Sequence, residues 1–208
     1  MDTTLKTLKR FCDTDAISWF LSRPFLYELN GKTVACATNS HLLCIAKNGC
    51  GYVKSSEYKA PNVASVIPAD ECTETLSVSR LSEALAKVPK TRNIVCPECN
   101  GKGQVNYQYY NQSANEKVYH EFDCPHCNGT GAVDGKNGKL RYDDSYHIII
   151  GGADFRPSYL KVLIEALVGR EYTEVCYCVV NKYLKIENEQ FIMLLLGDTK
   201  DYKHAIIL

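Results

Sequence analysis

The sequence predicts an α+β fold, with helices on one face of a largely antiparallel sheet and a cysteine-rich hairpin set into the chain. Three observations predict it. A helix-spaced segment followed by a meander of strand-sized apolar runs occurs toward each end of the chain. Asn30-Gly31, between two such runs, is a tight-hairpin signal. Between the two ends lies a duplicated cysteine motif, within a segment of about forty residues.

The elements follow in order. Leu5, Leu8 and Cys12 recur at helical spacing within 4–13, while Lys6, Lys9 and Arg10 lie mainly on another face. Strands are expected at Phe25–Leu29, Thr33–Ala37 and Leu42–Ala46. Residues 48–68, rich in Gly, Ser, Lys and Pro, read as a loop with a short strand near 63–67. A strand over 75–78 leads into a helix over 79–88, with Ser79 as N-cap, Leu81, Ala84, Leu85 and Val88 as its buried stripe, and Pro89 as its stop. The cysteine-rich segment spans 94–133, and a polar connection runs on to 146. The last third opens with a strand at 147–150. A helix follows with Pro157 at its first position, Leu160, Leu163, Ile164 and Leu167 inward, and Gly169 after it. Strands are expected at 174–180, 183–187, 191–196 and 204–208.

Length and composition bound the answer. The chain has 208 residues, 45% of them apolar, enough for one domain with an insertion or two small domains. No apolar run reaches the ~20 residues that a membrane helix needs, and no signal peptide is evident, so a cytoplasmic location without membrane contact is expected. The 24 basic and 24 acidic residues balance, which argues against indiscriminate, charge-driven nucleic-acid binding. Any DNA contact must come from a local patch or from geometry. Eleven cysteines is a high count, and in a reducing compartment a disulfide framework is not expected. Four fall into a metal pattern; Cys12, Cys36, Cys44, Cys50, Cys72, Cys176 and Cys178 read as small hydrophobic core residues.

The metal pattern is Cys96-Pro-Glu-Cys99-Asn-Gly-Lys-Gly103 and Cys124-Pro-His-Cys127-Asn-Gly-Thr-Gly131, two copies of CPxCNGxG. Two residues between cysteines make a knuckle that aims both sulfurs at one ion. The glycines let backbone N–H groups turn toward those sulfurs. Two knuckles close a tetrahedron of Cys96, Cys99, Cys124 and Cys127, a structural site with no open position. One Zn²⁺ is the expected ion, with rubredoxin-like iron and a thiol–disulfide role as alternatives. His126, inside a knuckle, is read as a solvent-facing spacer. These repeats resemble the CxxCxGxG units of the zinc domain in DnaJ-type co-chaperones, which normally has four such units; this chain has two, and no His-Pro-Asp tripeptide. Between the knuckles, 105–110 and 118–122 read as a hairpin. Its Tyr107, Tyr109, Tyr110 and Tyr119 could stack on bases or a partner, or pack across the strands.

The flanking segments carry a second resemblance. Phe25 to Ala46, especially Val34-Ala-Cys-Ala-Thr38-Asn-Ser-His41-Leu-Leu43, resembles the bacterial sliding clamp, the β subunit of DNA polymerase III, in which a Thr-Asp-Gly-His-Arg-Leu stretch follows a hairpin. The Leu5–Phe11 helix, the Val63–Pro68 segment, Ile148–Phe155 with its Tyr-Leu-containing helix, and the meander over 174–196 are similar to that family too. The resemblance implies helix-plus-sheet half-repeats packed side by side, helices toward DNA and sheets outward. It also implies a groove for partner peptides lined by Thr38, His41 and Leu43. Ser40 stands where the family has Gly, and Leu42 where it has Arg. Helix residues Lys6, Lys9, Arg10, Arg80, Lys87, Arg156 and Lys161 are the candidate DNA contacts; a solvated helix face is the bland alternative.

The expected organisation is a clamp-like α+β domain over 1–93 and 146–208, interrupted by a zinc-binding hairpin and connection over 94–145. The expected function is a non-enzymatic DNA-metabolism accessory protein that binds DNA, partner peptides or both, and forms homo-oligomers if it encircles DNA. No P-loop, nucleophile elbow, HExxH or paired-carboxylate motif is present. The alternative is a zinc-ribbon interaction module, chaperone-like or nucleic-acid-binding, on an unrelated α+β scaffold.

Overall fold

The computed structural model describes residues 2–53, 60–91, 93–134, 140–143, 145–198 and 202–208. Parts of the polar connections expected over 48–68 and 134–146 fall outside them. From the N-terminus come α1 (Thr3–Arg10), α2 (Trp19–Ser22), β1 (Phe25–Leu29), β2 (Lys32–Thr38), β3 (Leu42–Ala46), β4 (Glu74–Ser77) and α3 (Val78–Ala86). The middle holds β5 (Lys90–Thr91), β6 (Asn93–Val95), β7 (Gln104–Asn111), β8 (Glu116–Asp123), β9 (Ala132–Asp134) and β10 (Arg141–Tyr142). The last third holds β11 (Tyr146–Ile150), β12 (Ala153–Phe155), α4 (Pro157–Val168), β13 (Glu174–Val180), β14 (Tyr183–Glu187), β15 (Phe191–Leu196) and β16 (His204–Ile207).

Two compact units result, one from 1–89 with 143–208 and the other from 90–142. In the first, seven antiparallel strands run β1-β2-β3-β15-β14-β13-β4, so strands from both ends of the chain join in one sheet at the β3–β15 seam. A second sheet, β12-β11-β16, includes the parallel pair β11–β16. Asn30 and Gly31 take positive φ (51° and 74°) at the β1–β2 turn, as the Asn-Gly pair requires.

The sheet is buried on both faces at its centre. Leu42-Leu-Cys-Ile-Ala46 is buried at every position, and so is Phe191-Ile-Met-Leu-Leu195. A strand wet on one side alternates; a strand covered on both reads as a continuous apolar run. On one face Val34, Cys36, Leu43, Ile45, Ile192 and Leu194 form a cluster with Phe25 and Val63, against which Trp19 and Phe20 of α2 pack. The alternate residues face the helices: α1 contacts β2 and β3, and α4 contacts β15. Helix α3 packs on α4, with Leu81, Leu85, Leu160 and Leu163 buried between helices and sheet.

Three expectations are corrected. The segment near 63–67 is a 3₁₀ turn at Ala64–Val66, not a strand; it caps the apolar cluster through Val63 instead of extending the sheet. The N-cap of α3 is Ser77, not Ser79, because Val78 N–H is taken by Thr173 O and the strand runs straight into the helix. Gly169 caps α4 as expected, in a right-handed conformation (φ −65°), and Glu171 (φ 60°) supplies the left-handed turn that follows. Among the seven cysteines read as core, Cys36, Cys44 and Cys50 are buried, but Cys12, Cys72 and Cys178 are only partly so and Cys176 is exposed.

Lys185 is buried in this unit. The Lys185 side chain donates from Nζ to Pro68 O (3.1 Å) and Asp70 O (2.9 Å) and pairs with Glu187 (2.8 Å), which also takes Lys47 (2.6 Å). Partial burial pushes the Glu187 carboxyl up, but hydrogen bonds from Lys185 and Lys47 outweigh it and hold it below the ordinary 4.5. A depressed carboxyl stabilises the fold above its unfolded value and loses that contribution as pH falls. Wild type is therefore expected to exceed Glu187→Gln in urea midpoint at neutral pH, with the gap closing below about 4.5. A gap unchanged with pH would refute this role.

Candidate metal centre and apolar cavity

In the 90–142 unit, β6 pairs with β9 and β7 with β8, and the cysteine knuckles lie where these two ribbons meet. Cys96, Cys99, Cys124 and Cys127 are all buried, with their sulfurs within 4.8 Å of one another. Cys96 Sγ lies 3.8 Å from Cys124 Sγ, and Cys99 Sγ 3.7 Å from Cys127 Sγ. A regular tetrahedron with metal–sulfur bonds of about 2.3 Å has edges of about 3.8 Å, so the sulfur cage fits a four-coordinate ion.

The knuckles support each other reciprocally. Cys96 N donates to Gly131 O (2.9 Å) and Cys124 N to Gly103 O (2.7 Å). Gly103 N donates to Cys99 Sγ (3.3 Å) and Gly131 N to Cys127 Sγ (3.2 Å). Both glycines need positive φ (78° and 75°), and each leaves no room for a side chain. A Cβ at Gly103 would stand 2.3 Å from Gly129 O, and one at Gly131 2.4 Å from Gly101 O. Burial works against ionisation of Cys99, but the Gly103 and Gly101 N–H groups and the Cys96 and Cys127 thiols outweigh it, bringing its pKa to about 7. Burial raises the Cys124 thiol to about 11. Such a cage could hold a dication, because a bound metal takes the place of thiol protons. His126 is exposed, as its spacer position implied.

Beyond the cage, the β7–β8 register places Val105 opposite Phe122, Tyr107 opposite His120 and Tyr109 opposite Val118. Tyr109 stacks on His120 (5.8 Å, 5°) and Tyr107 meets Phe122 edge-on (5.8 Å, 66°). The rings do pack across the strands, yet Tyr107, Tyr109 and Phe122 each remain at least half exposed. Tyr110 and Tyr119 lie on the opposite face of the ribbon, also exposed.

The other unit holds an apolar cavity of about 200 Å³. Thr38, His41 and Leu43 all line it, together with Phe20, Val63, Val66, Tyr183, Leu194 and Leu196. The turn after β2 shapes its rim. Thr38 Oγ1 donates to Leu42 O (2.6 Å) and accepts from Ser40 N; Asn39 Oδ1 accepts from His41 N and Leu42 N. Ser40 has φ 76°, the left-handed region that favours glycine. His41 stacks on Tyr159 of α4 (4.5 Å, 19°), and its carbonyl accepts from Leu196 N (2.9 Å). Thr38, His41 and Leu43 were singled out through the family resemblance; Phe20, Val66, Tyr183, Leu194 and Leu196 carried no local signal, because they converge only through the β3–β15 seam and the α2 and 3₁₀ crossings.

The candidate basic residues differ in their surroundings. Arg10 (2.7 Å) and Lys161 (3.6 Å) both reach Glu165, which brings α1 and α4 together. Arg156 pairs with Asp198, near the buried His147 (3.7 Å from Asp198). Lys6, Lys9, Arg80 and Lys87 are exposed on their helices.

A continuous antiparallel sheet with α1, α3 and α4 on one face, in a chain that also carries a four-cysteine cage, defines a sliding-clamp-like α+β protein with a candidate metal centre. Comparison with solved structures identifies that fold. The chain is similar to the DNA polymerase III β subunit of Thermotoga maritima (9% identity, TM-score 0.52, covering 97% of this chain and 63% of that one). It is similar also to that of Borrelia burgdorferi (14%, 0.51, 95% and 61%) and to pol III beta of Caulobacter crescentus (13%, 0.51, 96% and 65%). The fold is that of the bacterial sliding clamp, and the chain spans under two thirds of the length of these clamps. No family model matches the sequence, and no curated protein does. Among the described residues no helix is long and apolar enough to cross a membrane.

Proposed function

We propose that this chain is a non-enzymatic accessory protein of DNA metabolism, built on the sliding-clamp fold, that binds partner peptides in its apolar cavity. It carries one structural Zn²⁺ on Cys96, Cys99, Cys124 and Cys127, within a hairpin and connection (94–145) inserted into the clamp-like domain (1–93 and 146–208). The observation that carries the reading is the placement of Thr38, His41 and Leu43 on one cavity, with walls from five separate segments. An apolar cavity with a few rim polar groups suits one or two large apolar side chains held by an extended peptide. DNA would be met by Lys6, Lys9, Arg10, Arg80, Lys87, Arg156 and Lys161 and retained by encirclement in a homo-oligomer, without base contacts. The exposed aromatic face of the β7–β8 ribbon favours a second reading, a zinc-ribbon module that stacks on nucleic acid or on a partner.

One binding series separates them. Short peptides ending in two large apolar residues, followed by fluorescence anisotropy, are expected to lose at least ~10-fold in affinity with His41→Ala or Leu196→Asp. Tyr107→Ala/Tyr109→Ala should leave that affinity unchanged. Failure of every such peptide to bind would sink the cavity reading. Loss of DNA binding through the tyrosines alone would favour the ribbon module. A monomer by light scattering that is not retained on circular DNA would reject encirclement.

A further inference from the structure

Cys72 and Cys178 are two of the cysteines that the core did not absorb, and they meet. Their sulfurs lie 3.3 Å apart although 106 residues separate them in sequence. The placement follows from the sheet. β4 runs antiparallel to β13 with Glu74 opposite Tyr177, so the chain entering β4 passes beside Cys178. Cys178 in turn lies opposite Lys185 on β14. The approach is held on several sides. Cys72 Sγ is 3.5 Å from Lys185 O, Cys178 Sγ is 3.8 Å from Asp70 O, and Lys185 Nζ ties down the Pro68 and Asp70 carbonyls.

We propose that Cys72 and Cys178 form a reversible disulfide that staples the 68–73 connector to the seven-stranded sheet when the protein meets a small-molecule disulfide. The proposal does not depend on what the apolar cavity binds. Burial first, and then the neighbouring Cys178, push the Cys72 thiol up to about 12, and in the S···S contact either sulfur can be the donor. The exchange runs with Cys178 as the first attacking sulfur. Its thiolate displaces one thiolate from the reagent, forming a mixed disulfide as the reagent's S–S bond breaks. Cys72 gives up its proton and attacks the Cys178 sulfur, and a second reagent thiolate leaves. Two cysteines are oxidised, one reagent disulfide is reduced to two thiols, and the two cysteine protons end on those thiols. The other thiols are worse placed: Cys36 and Cys44 are buried, and the four cage cysteines face one another. Cys176 is exposed, two residues before Cys178 on the same strand.

The test uses the full zinc-loaded chain and oxidised glutathione. Intact mass should fall by two hydrogens, two free thiols should disappear, and peptide mapping should return a Cys72–Cys178 cross-link that dithiothreitol removes. Closing so long a loop should raise the melting temperature by roughly 5 °C or more. Cys72→Ser and Cys178→Ser should abolish the cross-link, and Cys176→Ser should keep it. A Cys176–Cys178 product, a stable mixed disulfide at Cys178, or a cross-link that leaves the melting temperature unchanged would each overturn the proposal.

Discussion

Treating the zinc-loaded 208-residue chain with a chelator, or replacing Cys96 or Cys124 by Ser, is expected to melt residues 90–142 and leave the sheet unit folded. The reason is the size of the core on each side. In the 90–142 unit the clustered buried side chains are the four cysteines themselves, with Val105 and Val133 packed part-buried against them. The β7–β8 ribbon beyond them is exposed along nearly its whole length. A two-stranded ribbon is marginal in water, and a structural zinc site of this type supplies about 10–16 kcal/mol of apparent binding energy that becomes folding energy. The other unit keeps its own buried centre in β2, β3 and β15. Elemental analysis should read one zinc per wild-type chain and none in the variant. Hydrogen exchange should then show lost protection in β6–β9 and unchanged protection in β3 and β15. Loss of protection in β3 and β15 as well would mean that the two units do not fold independently.

The second large effect is expected at two residues that bind nothing. Gly103→Ala and Gly131→Ala each place a methyl 2.3–2.4 Å from a backbone oxygen of the opposite knuckle, at a φ near +77°. The left-handed conformation costs a non-glycine residue about 1–2 kcal/mol. The overlap with backbone adds to that, because the partner oxygen belongs to a chain segment fixed by its own sulfur ligands. A total of about 3 kcal/mol or more corresponds to at least ~100-fold weaker metal binding. Gly31→Ala is the control. Its φ is +74°, but nothing lies within 4 Å of the added carbon, so only the conformational cost of about 1 kcal/mol should register, in stability and not in metal affinity. Competition with a chelator of known affinity measures both; equal metal affinity in Gly103→Ala and wild type would refute the packing argument.

The residues that were legible as chemistry were those whose constraint is local. Two cysteines separated by two residues, followed by Asn-Gly-x-Gly, specify a knuckle on their own, and duplication specifies a cage. The Asn30-Gly31 turn, Pro157 at the start of α4 and the apolar runs of β3 and β15 were equally direct. What misled was local signal under tertiary control. Val63–Ile67 has the β-branched content of a strand, but Val63 is drawn into the apolar cluster and the chain turns as a 3₁₀ segment. Helix α2, only four residues long, left no periodicity to read; Trp19 and Phe20 are fixed by the sheet face that they cover.

By itself, then, the sequence determined the α+β class, the main strands and helices and the four clustered cysteines, because turn geometry, periodicity and cysteine spacing act over a few residues. Only the tertiary structure decided the β3–β15 seam, the cavity gathered around His41 and the approach of Cys72 to Cys178. Each of these joins segments that are more than a hundred residues apart, and such a pairing is set by which buried faces fit together once the chain has closed on itself.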